Sequence, residues 1–227
     1  MQLPGEAMDE PVFDWSYTWE IAPRLLDGLV VTVQATVLAT VIATLLGLVL
    51  AIGRRSRQRI VAWFVAVVVE FIRSTPLLVQ LYFLFFVLPS VGVVLSPLQT
   101  GAIGLGVHYA AYMSEVYRAG IESVPRQQWE GAVALGFSRR RTWLSIVLPQ
   151  AIPPVIPALG NYVVALFKET PLLSAITVVE LMQVAQIEGS RSFRYLEAFT
   201  LVGVMFLALS TISAAGVRIL ELRLARS

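Results

Sequence analysis

Lys168 and Glu169 stand side by side just after residues 142–167, a run without a single charge, and Glu70 and Arg73 interrupt a second apolar stretch. An isolated charge in apolar surroundings is costly, so such groups pair with one another or serve a solute or ion path. Glu70 and Arg73 are three residues apart and share one helical face. They can form an ion pair that fixes helix packing, or line a gate or solute path. Lys168 and Glu169 are adjacent and point about 100° apart on a helix, so they do not simply pair with each other. Together they offer a cation for a carboxylate and an anion for a positive group, as a zwitterionic solute requires; the alternative is packing or pairing between subunits. Asn161 and Tyr162, about two turns earlier, are weaker candidates. His108, beside Tyr109 and near Tyr112, is a candidate for the same path, although a lone histidine on an apolar helix usually serves packing. With no cysteine and a single histidine, neither a thiolate or histidine metal site nor a Ser-His-Asp arrangement is expected, and no catalytic residue is assigned. No G-x-x-x-x-G-K-[ST] segment occurs, so this chain does not cradle ATP phosphates. The G-x-G at Gly104 and Gly106 lacks the strand-to-helix setting of a dinucleotide site.

The elements that position these residues follow from the bilayer. The 227 residues are 57% hydrophobic and only 14% charged, against about 25% charged in an ordinary soluble domain; mean hydropathy is +0.74. A span needs about 20 mostly apolar residues. Residues 28–53 make one. Residues 74–114 carry no charge but are too long for one helix, and Pro89, Gly92 and Pro97 divide them. The first of the two begins near Ile60 and includes Glu70 and Arg73; the next covers about Leu98 to Gly120. A fourth, starting near Gln150, continues past Lys168 and Glu169 to about Glu180; counted from Pro153, Lys168 lies about 22 Å along the helix, with Pro171 breaking its ladder just beyond. A fifth covers about Ala198 to Leu220. The fold class is therefore all-α, with about five transmembrane helices.

Arginine placement orients them. Arg54, Arg55, Arg57, Arg59, Arg118, Arg126, Arg139, Arg140, Arg141, Arg218, Arg223 and Arg226 fall on one face, against Arg24, Arg191 and Arg194 on the other. The excess puts the C-terminus in the cytoplasm and the N-terminus outside. Residues 1–24 are expected to be an extracytoplasmic tail, acidic through Glu6, Asp9, Glu10, Asp14 and Glu20, and residues 25–227 the transmembrane domain. Phe13, Trp15, Tyr17 and Trp19 read as an interfacial aromatic belt or as a docking surface. The N-terminus lacks the basic start of a signal peptide.

The cytoplasmic loop at about residues 121–149 carries the most specific signal. Glu130, Gly131, Ala132 and Gly136 are followed after nine residues by Ile146, Leu148 and Pro149. The reading is two short helices joined at Gly136, which permits a left-handed helix end. Glu130 is expected in a first helical turn, facing the dipole, and Ser138 as the next N-cap. This spacing resembles in full the signature loop of ATP-binding-cassette (ABC) importer permeases, with Gly131 where alanine is usual. Residues 70–80, from Glu70 and Arg73 through Pro76 to Gln80, resemble the second-span motif of the polar amino-acid type. Residues 167–176 resemble their fourth-span motif, with Pro171 where many members have serine, and residues 104–121 are also typical. Within the family the nearest resemblance is to ectoine/hydroxyectoine permeases of the D type; permeases for histidine, glutamine or arginine share most of these motifs.

The resemblance implies the type I importer fold, a multi-pass chain of the bacterial cytoplasmic (inner) membrane, and no enzymatic activity of its own. It implies no cofactor on this chain, with ATP on partner ATPase subunits that dock on the loop, a second permease identical or homologous to this one, an extracytoplasmic solute-binding protein, and surrounding lipid. The rival readings are an ion-coupled secondary carrier for a small polar solute, with Lys168, Glu169 and Glu70 as proton relay, and a membrane-bound enzyme. Neither gives a reason for the loop spacing.

Overall fold

The computed structural model describes residues 13–224, and among these every regular element is helical. Glu6, Asp9, Glu10 and Arg226 lie outside the described residues. Helix α1 covers Trp15–Arg54, capped by Asp14, whose carboxylate accepts from the amides of Ser16 and Tyr17. Residues 15–24, grouped with the tail by composition, are thus the first turns of a helix about 60 Å long. Helix α2 (Arg59–Ser74) meets α3 (Leu77–Tyr82) at a 104° elbow. A π-helical turn (Phe83–Val87) and a 3-10 turn (Leu88–Val91) extend α3, ending at Gly92 with φ +86°. Helix α4 is Pro97–Glu122, opened by a Ser96–Gln99 capping box. In the loop, α5 is Arg126–Ala134 and α6 is Arg139–Thr142. A π-helical turn (Trp143–Val147) leads into α7, Leu148–Lys168, followed by a 3-10 segment, Thr170–Ile176. Helices α8 (Leu181–Ser192) and α9 (Tyr195–Leu224) complete the chain.

Three stretches are long and apolar enough to cross a membrane alone: α1, Arg139–Ile176 and α9; the bent pair α2–α3 makes a fourth. The fifth expected crossing, α4, is long enough at 26 residues but less apolar, because its Gly, Ala, His and Tyr side chains face protein rather than lipid. Two expectations are corrected. The second segment is broken at Ser74–Pro76, since Pro76 has no amide for the carbonyl four residues back, so Glu70 and Arg73 end a helix instead of sitting inside one. The fourth α-helix stops at Lys168; the crossing stretch continues as the 3-10 segment to Ile176, short of Glu180, and the chain then forms a separate helix, α8.

Helices α1 and α4 form the centre, packed on small residues. Ala35, Ala39, Ala43, Gly47 and Ala51 are buried on one face of α1, while Val37, Val41, Leu45 and Val49 are exposed on the other. This inverts the soluble pattern: packing, not burial of large apolar groups, joins helices in lipid. A Cβ at Gly106 would meet Ile42 at 2.6 Å, and one at Gly47 the Ala110 carbonyl at 3.0 Å. Helix α8 is capped by the fully buried Glu180, whose carboxylate accepts from the Gln183 amide at 2.8 Å, and is pinned to α1 by Thr32, whose hydroxyl accepts from the Leu181 amide at 3.1 Å. Outside it, the buried Glu188 carboxylate is held by Arg24 and, at 3.2 Å, by Arg191.

Among the described glycines, the closest approach is at Gly120, where α4 meets α7. A Cβ at Gly120 would lie 2.1 Å from Val155 Cγ2 and 3.0 Å from the Ala151 carbonyl oxygen. Gly120→Ala should therefore cost about 1–3 kcal/mol, as overpacking does. Gly131→Ala meets nothing within 4 Å and should be neutral or stabilising by up to about 1 kcal/mol. Thermal unfolding of the two variants in detergent checks this; equal melting temperatures would refute it.

Candidate solute cavity and coupling loop

The elbow between α2 and α3 forms one wall of a cavity of about 400 Å³. Arg73, Ser74, Thr75, Pro76, Leu77 and Leu78 supply that wall; His108 and Tyr112 of α4 and Glu169 and Leu172 beyond α7 supply the rest. The volume suits a small solute. Its ionisable walls are a guanidinium, an imidazole and a carboxylate. The Arg73 guanidinium lies 5.3 Å from the Tyr112 ring centre, and the Tyr112 hydroxyl donates to the Arg73 carbonyl at 3.4 Å. Behind them Tyr109, Tyr112 and Tyr162 pack with ring centres 5.9–6.2 Å apart. Tyr109 sits beside Glu169.

A second cavity, of about 320 Å³, lies on the other side of the elbow, lined by Phe71, Val79, Phe83 and Val107 among others. Thr75 and Gln80 are its polar lining residues, and it has no charged wall.

Arg73 is held from below as well as from the cavity. Its Nη1 is 3.5 Å from Glu70 and 4.0 Å from Glu115. Glu115 also binds Arg54 and, at 2.8 Å, Arg118, which reaches Glu122 at 2.6 Å. This network ties the ends of α1 and α2 to α4. The Arg73 Nε is buried and has no hydrogen-bond partner among the described residues.

The residues singled out by sequence thus separate into two groups. Arg73, His108 and Glu169 meet at the cavity. Glu70 forms the expected i,i+3 pair with Arg73, but its side chain is 70% exposed and outside the wall. Lys168 and Asn161 are exposed on α7, and Lys168 has no ion pair among the described residues. The helix ends between Lys168 and Glu169, which sends the two side chains to different surroundings. The pairing of Glu115 with Arg54 has no sequence signal, the two being 61 residues apart. Gln80, the end of the second-span motif, donates its Nε2 to the Ile72 carbonyl at 2.7 Å, the acceptor that Pro76, lacking an amide, leaves open.

The loop is built much as its spacing suggests. Gly136 has φ +70°, and the Phe137 amide reaches the Ala132 carbonyl at 3.0 Å, closing α5 with a left-handed cap. The Ser138 hydroxyl accepts from the Arg141 amide at 3.3 Å. Helix α5 begins at Arg126, so Glu130 falls in its second turn, not its first, and pairs with Arg126 at 3.0 Å. Ala132 is buried, whereas Val133 and Leu135 are each 73% exposed. Trp129 packs edge-on against Trp143, with centres 5.3 Å apart, over a core of Val124, Val147 and Ala151. Ile146 sits in the π-helical turn, and Leu148 and Pro149 open α7. The loop helix is therefore fixed to the start of the fourth segment, and α7 runs from there toward Glu169.

Comparison with known proteins agrees with this architecture. Residues 43–226 match the family described as binding-protein-dependent transport system inner membrane component. A probable amino-acid ABC transporter permease protein of Sinorhizobium fredii, y4tG, is 44% identical over 98% of this chain and 96% of its own length. The L-cystine transport system permease protein TcyB of Bacillus subtilis is 36% identical over 90% of this chain and 88% of its own. Among solved structures, an amino acid ABC transporter crystallised with histidines superposes with a TM-score of 0.89 at 30% identity, over 93% of this chain and 99% of that one. The MetNI methionine ABC transporter, at 18% identity and a TM-score of 0.63, shares the fold.

Proposed function

The chain belongs to the inner membrane component family of binding-protein-dependent transport systems and is the permease subunit of an ABC importer; on that premise we propose that a small zwitterionic solute passes along the cavity between Arg73 and Glu169. The observation that carries this reading is that a guanidinium and a carboxylate both line one cavity of about 400 Å³. Arg73 receives the solute carboxylate, which its planar fork of donors suits. Glu169 receives the positive group. The cationic role considered for Lys168 passes to Arg73, and Lys168 is left for contact with a second subunit. Polar amino acids carry both charges, as the names of the relatives suggest, and so does ectoine or hydroxyectoine.

The cavity is open on one side, and a second permease, identical or homologous, closes it. The basic residues of the loop and of the segment after α1 face the cytoplasm, which places the N-terminus outside and makes α4 the fifth crossing. An extracytoplasmic binding protein delivers the solute. ATPase subunits, which carry the ATP, dock on α5, whose exposed Val133 and Leu135 enter a groove on the partner. Binding of ATP then favours one arrangement of the spans over another through contacts that differ between the two states.

Because the chain has no native cysteine, Val133→Cys gives a single labelling point. Co-expressed with the neighbouring ATPase, it should crosslink to it in a nucleotide-dependent way, with ATP-dependent uptake retained. Absence of any ATPase crosslink, together with uptake that survives ATP depletion while an ion gradient is maintained, would replace this reading with the secondary carrier.

A further inference from the structure

Pro76 leaves the Ile72 carbonyl at the elbow without its helical donor, and Gln80 fills the gap. Its Nε2 donates to the Ile72 carbonyl at 2.7 Å and the Thr75 carbonyl at 3.1 Å, and lies 2.6 Å from the Thr75 hydroxyl. That hydroxyl in turn donates to the Phe71 and Ile72 carbonyls. Two backbone carbonyls therefore fix the orientation of the Gln80 amide, because the flipped form would set oxygen against oxygen. Its Oε1 is then left facing His108 Nδ1 at 3.2 Å. An amide oxygen only accepts, so Nδ1 must donate. A neutral imidazole with its proton on Nδ1 carries a lone pair on Nε2. No described residue hydrogen-bonds Nε2, and His108 belongs to the cavity wall.

We infer that Gln80 is a positioning residue: by replacing the missing Pro76 amide it holds His108 in the Nδ1–H form, so that the ring presents an acceptor to an N–H or O–H donor of the solute. The inference rests on the cavity being the solute path. The His108 acceptor and the Glu169 carboxylate then lie on the donor-accepting side of the cavity, and Arg73 on the carboxylate-accepting side. The cavity thereby favours solutes whose positive group carries hydrogens over fully N-methylated ones, which offer no N–H. The same amide joins α2, α3 and α4, so the acceptor's position follows the angle of the elbow.

His108 is the single histidine, which makes the test direct. The full chain, purified through a histidine-free tag and placed in lipid nanodiscs, is labelled with ¹⁵N-histidine, and His108→Asn supplies the blank. The neutral ring should show a pyrrole-type nitrogen at Nδ1 and a pyridine-type nitrogen at Nε2. In Gln80→Leu the proton should shift to Nε2, the form free imidazole side chains prefer. Uptake by the same variant, reconstituted with its ATPase, should show KM raised about threefold to tenfold, as loss of one neutral hydrogen bond predicts, with kcat little changed. A wild-type ring protonated on Nε2, or one unaffected by Gln80→Leu, would overturn the role of Gln80. A proton shift with unchanged KM would overturn the cavity reading, and the acceptor's role with it, while leaving the tautomer assignment in place. Should Gln80→Leu not fold, His108→Asn keeps a donor toward Gln80 and lacks the Nε2 acceptor; it should show the same rise in KM, and a wild-type KM would refute the acceptor.

Discussion

Glu169→Gln should raise the KM for uptake of a zwitterionic solute about tenfold to a hundredfold, with the protein still folded and still bound to its ATPase. The magnitude is that of a hydrogen bond to a charged group, about 1.5–3 kcal/mol. The fold should survive because the Glu169 carboxylate holds no helix end: the residue closes α7 through its backbone, whose amide reaches the Leu166 and Phe167 carbonyls. Arg73→Gln should have an effect of similar size on solutes carrying a carboxylate. It removes the ion pair from α2 to Glu115, while Glu115 keeps Arg54 and Arg118 and so the tie of α1 to α4. Radiolabelled uptake into proteoliposomes separates the two roles. A solute analogue without its positive group should be discriminated against by the wild type and barely at all by Glu169→Gln. If both variants transport with wild-type KM, the opposed charges serve helix packing alone and the solute path lies elsewhere.

Coupling should fail when Gly136 becomes valine. Its φ of +70° belongs to the left-handed region, which costs a side chain roughly 1–2 kcal/mol and a β-branched one most. A Cβ at Gly136 meets nothing within 4 Å, so the penalty is one of backbone conformation, with no clash to repack. Since the same turn holds the Phe137 amide on the Ala132 carbonyl, the Gly136→Val substitution would open the end of α5 and displace Val133 and Leu135. ATP-driven uptake should drop about fivefold to thirtyfold, the population change that such an energy represents. The spans, which make no use of this turn, should unfold at an unchanged temperature. Gly136→Asn, which tolerates the left-handed conformation, should keep most of the activity. Equal uptake by the valine and asparagine variants would show that the cap does not transmit the ATPase motion.

Much of the fold was legible because lipid imposes a one-dimensional rule. A segment either carries enough consecutive apolar residues to cross or it does not, and composition alone places α1, α9 and most of α7. The same rule misjudges the segments that protein, rather than lipid, surrounds. The apolar neighbours of Glu70 and Arg73 suggest a continuous span, yet Pro76 ends the helix just beyond Arg73. Helix α8 leaves no apolar run to mark it, because its buried residues face α1 and α9 while its polar ones face outward.

What the sequence determined by itself was local: the loop spacing from Glu130 to Pro149, the left-handed turn at Gly136, the cap at Ser138 and the i,i+3 pair of Glu70 with Arg73. Each depends on the geometry of a few consecutive residues, and helical periodicity fixes that geometry wherever the helix goes. The tertiary structure alone decided which charges share a cavity. Arg73, His108 and Glu169 meet although 35 and 61 residues of chain separate them, and Lys168 turns away although it adjoins Glu169. The reason is that long-range contacts depend on the bend at Pro76, on the termination of α7 at Lys168 and on the close approach of α1 and α4 at Gly47 and Gly106. A few degrees at any of these joints decides which side chains face one another, and no spacing along the chain encodes that angle.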